Sequence, residues 1–534
     1  MAENKERLAF SAAITRRRAL ELMGGGTAAA WAAPIIAACG GSTSSTTTSS
    51  GPTKGGSVTL IHQFETRGFD PILGSGAVGT GGDALQFAAV FDSLVYEDQY
   101  TGKVVPRIAE SFLSSDAVTW TLKLRPSIKF SDGTPYDADA VKFNWERIAD
   151  PANKSSNSVA VSGIASMTVV DSLTLKVVLK SANGQFDRVV ARRVATLGSP
   201  TAIKALGAKF ATAPVGAGPF LLDSWVRDSE AKFKRNPTYW DSPRPYLDAI
   251  VIRQVPDPQQ RYNTVQSGEA QMAFMSISSD LAAKGKADGL ALYQTLPSGG
   301  LNMLLNQKKA PFNDPNARQA LVHALNYAKL NDVVYRGANV VPTYLFNEKS
   351  PFYDPSLKLP AYDKAKAQQL LDQLATSRGK PLEFLFQHSA TQKVVAEFFQ
   401  AQLAEFKNIK MNILQIQNTD ILPKASAGDF EVMSFQNAPI DPEPDFYDAL
   451  HTGAPRNFGG YSSKDMDAAL EKGRAALDLK ARVETYKTMQ KLLTADVPTI
   501  FYIKTPISVV ANKKVQGVEM NNFIVRWEKL YLSS

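Results

Sequence analysis

The chain predicts an α/β protein of more than one lobe, and three observations carry that prediction. From about residue 54 onward some 480 residues remain, too many for one hydrophobic core. At 44% hydrophobic and 21% charged, the composition is that of a globular protein, not of a disordered or membrane-spanning one. In the second half, apolar runs of strand length alternate with segments of helical periodicity, the pattern of an α/β sheet that binds ligands at its strand ends.

The chain opens on a leader. Arg16, Arg17 and Arg18 precede a weakly apolar stretch, Leu20 to Ala38, rich in Gly and Ala and broken by Pro34. A positive cluster, an apolar region and small residues before a cleavage point define a secretory signal. A spanning helix needs about 20 strongly apolar residues, which this stretch lacks. The paired Arg16 and Arg17 resemble a twin-arginine export signal. Cys39, the single cysteine, ends the run Ile36-Ala37-Ala38-Cys39-Gly40, which resembles a lipoprotein cleavage box. Residues 1–38 therefore read as signal peptide and Cys39 as the lipidated residue. Residues 39–54, almost all Gly, Ser, Thr and Pro after the cysteine, read as a flexible tether. Without a second cysteine the chain can form no internal disulfide and holds no cysteine-based metal or redox site.

Ser57 to His62 follows a Gly pair and reads as the first core strand. Trp120 to Arg125 and Leu173 to Leu179 alternate with period two, as half-buried strands do. Asp137 to Asp150 carries Val141, Phe143, Trp145 and Ile148 after acids that suit a helix N-terminus. Pro315 to Leu330, Tyr362 to Leu374, Thr391 to Glu405 and Leu479 to Leu493 read as helices. Pro381 to Phe386, Ile409 to Ile416 and Phe430 to Phe435 read as strands, the last helix leads to the run Pro498 to Ile503, and no repeat of solenoid period is present.

Enzyme chemistry finds little support. His62, His323, His388 and His451 are scattered, none within a zinc-binding spacing. Gly74 to Gly79 matches Gly-x-Gly-x-x-Gly, but Asp70 and Pro71 stand where a strand should lead in, so it reads as a loop. No nucleophile elbow or phosphate loop occurs. The formal charge of +8 falls to +6 once the five Lys/Arg and three Asp/Glu of residues 1–38 are set aside. Spread over this length, with no basic run interleaved with aromatics, that charge predicts no nucleic-acid partner.

Three ordered blocks carry a resemblance. The first is Pro106-Arg107-Ile108-Ala109-Glu110-Ser111, then Trp120 to Arg125, then Lys129-Phe130-Ser131-Asp132-Gly133-Thr134-Pro135. The second is Gly216-Ala217-Gly218-Pro219-Phe220 with Arg235-Asn236-Pro237-Thr238-Tyr239-Trp240. The third is Asn306 with Pro311-Phe312-Asn313-Asp314 and Arg318-Gln319-Ala320. Together they resemble the extracytoplasmic solute-binding proteins of ABC importers, in the family 5 class that takes dipeptides, oligopeptides or nickel, over about residues 55–518. The resemblance implies a two-lobed periplasmic-binding-protein-like fold, a class II Venus flytrap with an extra subdomain inserted in lobe I. Lobe I would comprise 55–300 plus 505–534, with the insertion at about 87–213, and lobe II 301–504. It also implies ligand capture by hinge closure, an ABC permease as partner, a monomer outside the cytoplasm, and no cofactor, resident metal or catalysis. A secreted lipoprotein hydrolase or a ligand sensor on a similar architecture is the alternative.

In dipeptide- and oligopeptide-binding relatives, an Asp three residues before an Asp-Pro or Glu-Pro pair holds the peptide's ammonium. Here Asp441-Pro442 puts Ala438 at that position and Glu443-Pro444 puts Ile440 there, so the carboxylate is missing in either register. A buried ammonium stripped of its partner costs roughly 3 to 5 kcal/mol, about half of the roughly 8 kcal/mol behind micromolar binding. Free-amine peptides are expected to bind poorly unless Asp441 or Asp445 substitutes. Glu443 stands where a nickel-binding relative has His, although His388 and His451 could still serve a metal. Phe435, Gln436 and Asn437 offer an aromatic face and amides, suited to a neutral polar ligand such as a glycan, a modified peptide or an amide-rich metabolite. The expected lining is Gln63, Phe64, Gln387, His388, Phe435, Gln436, Asn437 and Asp441.

Overall fold

The computed structural model describes residues 51–74, 83–98, 101–275, 278–521 and 524–533. Arg16, Arg17, Cys39 and most of the Gly74 to Gly79 motif lie outside them.

The chain begins with β1 (Ser57–His62) and α1 (Asp83–Val90). An inserted layer follows, comprising β2 (Val95–Glu97), β3 (Ala109–Ser114), β4 (Thr119–Leu124), α2 (Ala138–Ala149), β5 (Ile164–Asp171), β6 (Thr174–Leu179) and α3 (Phe186–Arg193). The chain then returns through β7 (Phe220–Val226), β8 (Glu230–Arg235), β9 (Ala249–Gln254), β10 (Met272–Phe274) and β11 (Ala291–Thr295). It crosses to β12 (Gly300–Leu305), α4 (Pro315–Ala324), α5 (Tyr327–Tyr335), α6 (Lys364–Arg378), β13 (Leu382–Ser389), α7 (Lys393–Leu403), β14 (Ile409–Ile416) and β15 (Val432–Asn437). After α8 (Asp445–Leu450), α9 (Lys464–Ala475), α10 (Leu479–Asp496) and β16 (Thr499–Ile503), it crosses back into β17 (Ile507–Ala511).

Three sheets of four or more strands result. One has the order β11-β17-β10-β1-β9-β8-β7, one β3-β4-β6-β5 and one β14-β13-β15-β12-β16. β1 runs parallel to both β9 and β10, and its Val58, Leu60 and Ile61 are fully buried, which is why it reads as a nearly continuous apolar run. β4 is covered on one face only: Trp120, Leu122 and Leu124 are buried and the residues between them are not. Each sheet has its own core. Val58, Leu60, Ile250 and Trp527 belong to the first, Trp120, Trp145 and Phe186 to the inserted layer, and Met303, Leu321, Phe386 and Tyr502 to the third sheet. The architecture is two-lobed α/β, as expected.

The lobes are joined by two adjacent segments, 296–299 and 504–506, that run in opposite directions. β11 pairs antiparallel with β17 on one side, and β12 pairs antiparallel with β16 on the other. Glycine is required here. Gly300 has φ +141°, and a Cβ on it would lie 2.3 Å from the Ile503 carbonyl oxygen.

Local signals explain the elements and their departures. Asp137 caps α2, its side chain accepting from Ala140 N at 2.9 Å, and Val141, Asn144, Trp145 and Ile148 form the buried stripe. The single helix expected over Pro315 to Leu330 is two, because Asn326 leaves helical geometry and caps α5 by accepting from Lys329 N at 3.0 Å. α6 starts at Lys364 because Asp363 is its cap.

Candidate functional site

Side-chain alternation and strand order bring part of the predicted lining together. β13 and β15 are parallel neighbours, with Gln387 opposite Met433, so Gln387 and His388 end up beside Phe435, Gln436 and Asn437 at one end of the second lobe's sheet. On its other edge β15 pairs with β12, setting Gln436 opposite Leu301 and Asn437 opposite Gly300, at the start of a crossing segment. Phe435, Gln436 and Asn437 are half-buried, and the Phe435 ring packs edge-on against Phe458 at 5.9 Å. Gln387 and His388 are buried. Gln387 donates to the Asp429 carbonyl at 3.1 Å while its Oε1 has no partner, and His388 Nδ1 lies 2.9 Å from the Ser389 carbonyl oxygen. Gln63 and Phe64 belong to the other lobe, just beyond β1. Gln63 accepts from Arg261 at 3.1 Å, and the Phe64 ring stands edge-on to His62 at 5.5 Å. Their hydrogen bonds and ring contacts among the described residues stay within the first lobe.

Asp441 departs from the expected lining role. It is 2% exposed, and its two oxygens meet Arg482 and Arg188, the latter at 3.5 Å. Burial opposes its ionisation, but Arg188 and Arg482 outweigh that and hold the carboxyl below its ordinary range. Asp445 is likewise engaged, by Arg192 and by Arg193 at 3.4 Å, and Asp448 lies 3.6 Å from Arg193. Glu97 on β2 takes Arg188 and Arg192, and Glu443 takes Arg474. Glu443 is completely buried and leaves Oε2 unpartnered, and burial pushes its carboxyl up to about 7. This network ties α3 of the inserted layer to the loop after β15 and to α8. Gly184 N donating to the Arg474 carbonyl at 2.8 Å reinforces the same contact. Neither Asp441 nor Asp445 is free to replace the absent ammonium anchor.

Residue spacing carries a clue to this network. Arg188, Arg192 and Arg193 recur on one helix, and Asp441, Glu443, Asp445 and Asp448 crowd one short segment of the opposite sign.

A small open cavity adjoins the network, walled by Phe91, Tyr96, Glu97, Arg192, Arg526 and, from the second lobe, Ile440. Ile440 is one of the two positions where a relative's carboxylate would stand. Among the described residues no cluster of three or more His, Cys, Asp or Glu could hold a metal ion, and the two candidate nickel ligands are separately engaged. His388 turns to its own strand, and His451 contacts Glu471 at 2.9 Å and stacks on Tyr447. No helix among the described residues is long and apolar enough to cross a membrane.

Two lobes joined by paired crossing segments, with polar strand ends beside the junction, are the arrangement that the sequence resemblance implies. Residues 103–457 match the bacterial extracellular solute-binding proteins, family 5, over the middle part of that family's sequence. The chain belongs to this family, which is one of solute-binding proteins and not of enzymes. It is 36% identical over 308 residues to the glutathione-binding protein GsiB of Shigella flexneri, and 35% identical over 308 residues to GsiB of Escherichia coli strain K12. In both cases the match covers 56% of this chain and 58% of the relative, so under two thirds of either relative is spanned. Among solved structures, the fold is similar to the periplasmic binding protein DppA from Helicobacter pylori in complex with the peptide STSA. The TM-score is 0.80 at 23% identity, covering 90% of this chain and 99% of that one. It is also similar to AgaA from A. tumefacien R10 in complex with agropinic acid, with TM-score 0.78 and 22% identity over 90% and 99% of the two chains.

Proposed function

We propose that this chain is the solute-capturing component of an ABC importer, closing its two lobes around a peptide-like or other polar small solute and delivering it to a permease. The observation that carries the reading is the pair of crossing segments, 296–299 and 504–506, set beside the polar end of β15 in a member of family 5. Contacts that a ligand makes to both lobes exist only when they close, so ligand binding selects the closed state. Lobe I is assigned to 55–300 plus 505–534 with the insertion at 87–213, and lobe II to 301–504. Cys39 carries the lipid that keeps the protein at the outer face of the membrane, after twin-arginine export through Arg16 and Arg17.

The ligand is a solute without a free amine at the position where relatives present one. Ala438 and Ile440 supply no carboxylate, and Asp441 and Asp445 are neutralised by arginines. Thermal unfolding of the chain from about Gly55, against pools of free-amine peptides, N-acylated peptides, oligosaccharides and nickel chelates, tests this. A true ligand at about a hundredfold its Kd adds roughly 2.7 kcal/mol. Stabilisation by amine-masked or neutral solutes and not by free-amine peptides supports the reading, and the reverse order overturns it. Asn437→Ala and Phe435→Ala are expected to weaken binding with the fold intact. Cys39→Ala is expected to move the protein from the membrane to the soluble fraction.

A further inference from the structure

Away from the crossing segments, the inserted layer touches the second lobe along one side of α3. The other side of that helix is held by its own layer: Phe186, Val189 and Val190 are buried in the core that contains Trp120 and Trp145. Across the contact, Phe446 and Leu450 of α8 are buried in a second-lobe core with Met466, Tyr486 and Phe501. No hydrophobic core among the described residues takes members from both lobes. A contact within one chain that is polar and shares no apolar core is the kind at which the two parts move.

What crosses is charge and hydrogen bonds. Among the described residues Arg193 has its ion-pair partners, Asp445 at 3.4 Å and Asp448 at 3.6 Å, wholly in the second lobe. Arg192 pairs with Asp445 and Arg188 lies 3.5 Å from Asp441, while Glu97 pairs with both from their own side. Just before α3 the chain caps the end of α9. Gly184 N donates to the Arg474 carbonyl at 2.8 Å and Gln185 Nε2 to the Ala476 carbonyl at 2.9 Å, at the end where a helix leaves its carbonyls open. Gly184 is pressed so close that a Cβ on it would lie 2.7 Å from the Ala476 carbonyl oxygen, and its three nearest atoms all belong to Ala475 or Ala476 of the second lobe. Its φ lies outside the left-handed region, so an alanine there is opposed by the facing lobe and not by its own backbone.

We propose that this contact is a latch on the closed form: the arginine face of α3 and the cap on α9 hold the inserted layer to the second lobe before any solute arrives, and the lobes open when the charges are screened or the fit at Gly184 is spoiled. The inference rests on lobe closure as read above and not on which solute is captured. Each face is charged for the other, with Arg188, Arg192 and Arg193 on α3 and Asp441, Glu443, Asp445 and Asp448 opposite. Once apart, the two faces are solvated, and salt weakens their attraction. Apparent affinity scales with the fraction of chains in the binding-competent form, so a chain without the latch holds the same solute more weakly.

The test is the distance between two spin labels, measured without solute on the full chain. Cys39→Ala removes the single cysteine, and Lys176→Cys in the inserted layer and Lys491→Cys on α10 supply the label sites, both lysines being exposed. The expected result is one predominating short distance in low salt that lengthens in about 1 M salt, where the screening length is about 3 Å. Arg193→Gln and Gly184→Ala are each expected to shift the closed-to-open ratio at least about tenfold toward open, and Arg193→Lys to shift it less. Gly184→Ala removes no charge, so it decides the matter even where Arg193→Gln fails to unfold cooperatively. A wild type that is mostly open overturns the proposal, as does a distance that salt leaves unchanged or that a folded Gln or Ala variant leaves unchanged. If the distance never moves yet a solute pool stabilises the chain, the latch fails and solute capture stands. If the variants open the lobes and no pool binds, the latch stands and solute capture fails.

Discussion

The second lobe meets the rest of the molecule in two places built on opposite plans. At the crossing segments the contact is backbone on backbone: paired strands, and Gly300 pressed against the Ile503 carbonyl. Where α3 meets the loop after β15, the contact is a lattice of guanidinium and carboxylate groups, nearly every charge shared between two partners. The first is specified by shape and keeps the lobes adjacent at any pH. The second is specified by charge, so its strength depends on protonation and on every member being present. The difference is a division of labour, with the strands fixing where the lobes join and the ion lattice holding α3 against the loop after β15 and α8.

The sharpest way to break the comparison is to remove one member of the lattice. Asp441→Ala leaves Arg482 buried with no carboxylate partner among the described residues and is expected to cost about 3 to 5 kcal/mol, read by urea unfolding. A loss under about 1 kcal/mol would mean the lattice is solvated and the contrast false. Next, Gly300→Val is expected to cost about 3 kcal/mol, from a φ that a branched residue does not adopt together with the overlap on the Ile503 carbonyl. Thermal unfolding of the purified variant reads it.

A third effect separates the regions by pH. Glu443 titrates near 7 when folded, above its ordinary value of 4.5, so between those values the folded state holds the extra proton. Its contribution to stability is therefore largest below about 4.5 and falls as pH rises through 7. Asp441 contributes in the opposite sense, since its folded value is depressed, and its stabilisation is lost only as strong acid protonates it. Unfolding of wild type and Glu443→Gln at pH 5 and pH 7.5 should show the wild type losing more over that interval than the variant. Identical slopes would remove Glu443 from the account. The smallest effect is the control: Lys410→Ala deletes an exposed pair with Glu383 and is expected to change stability by less than about 1 kcal/mol.

Much of the scaffold was legible in sequence because its signals are local. The alternation of Trp120, Leu122 and Leu124, the cap at Asp137 and the apolar run of β1 each lie within about ten residues and need no partner to be read. β12 was not legible. Gly300 to Leu305 opens on a glycine after Gly299 and has no alternation, since residues pointing to either face of the sheet are buried alike. The split of α4 from α5 hangs on one cap, Asn326, inside a stretch whose periodicity continues across it. For the candidate site, proximity of Gln387 and His388 to Phe435 follows from the pairing of β13 with β15, which sequence order does not specify. The occupation of Asp441 escaped for a different reason: Arg188 lies some 250 residues earlier, and no local rule joins charges so far apart.

One feature of the first sheet sets an order of events. Its strand β17 fits between β11 and β10, yet β17 is made after the whole of the second lobe. A nascent chain finished through Ile503 owns every strand of the five-stranded sheet, while the sheet that contains β1 still has an open slot. Pairing across so long a loop is the slow kind of contact. The lobe that is begun first is therefore completed last, and until residues 507–511 emerge the strand edges of β10 and β11 stand unmatched.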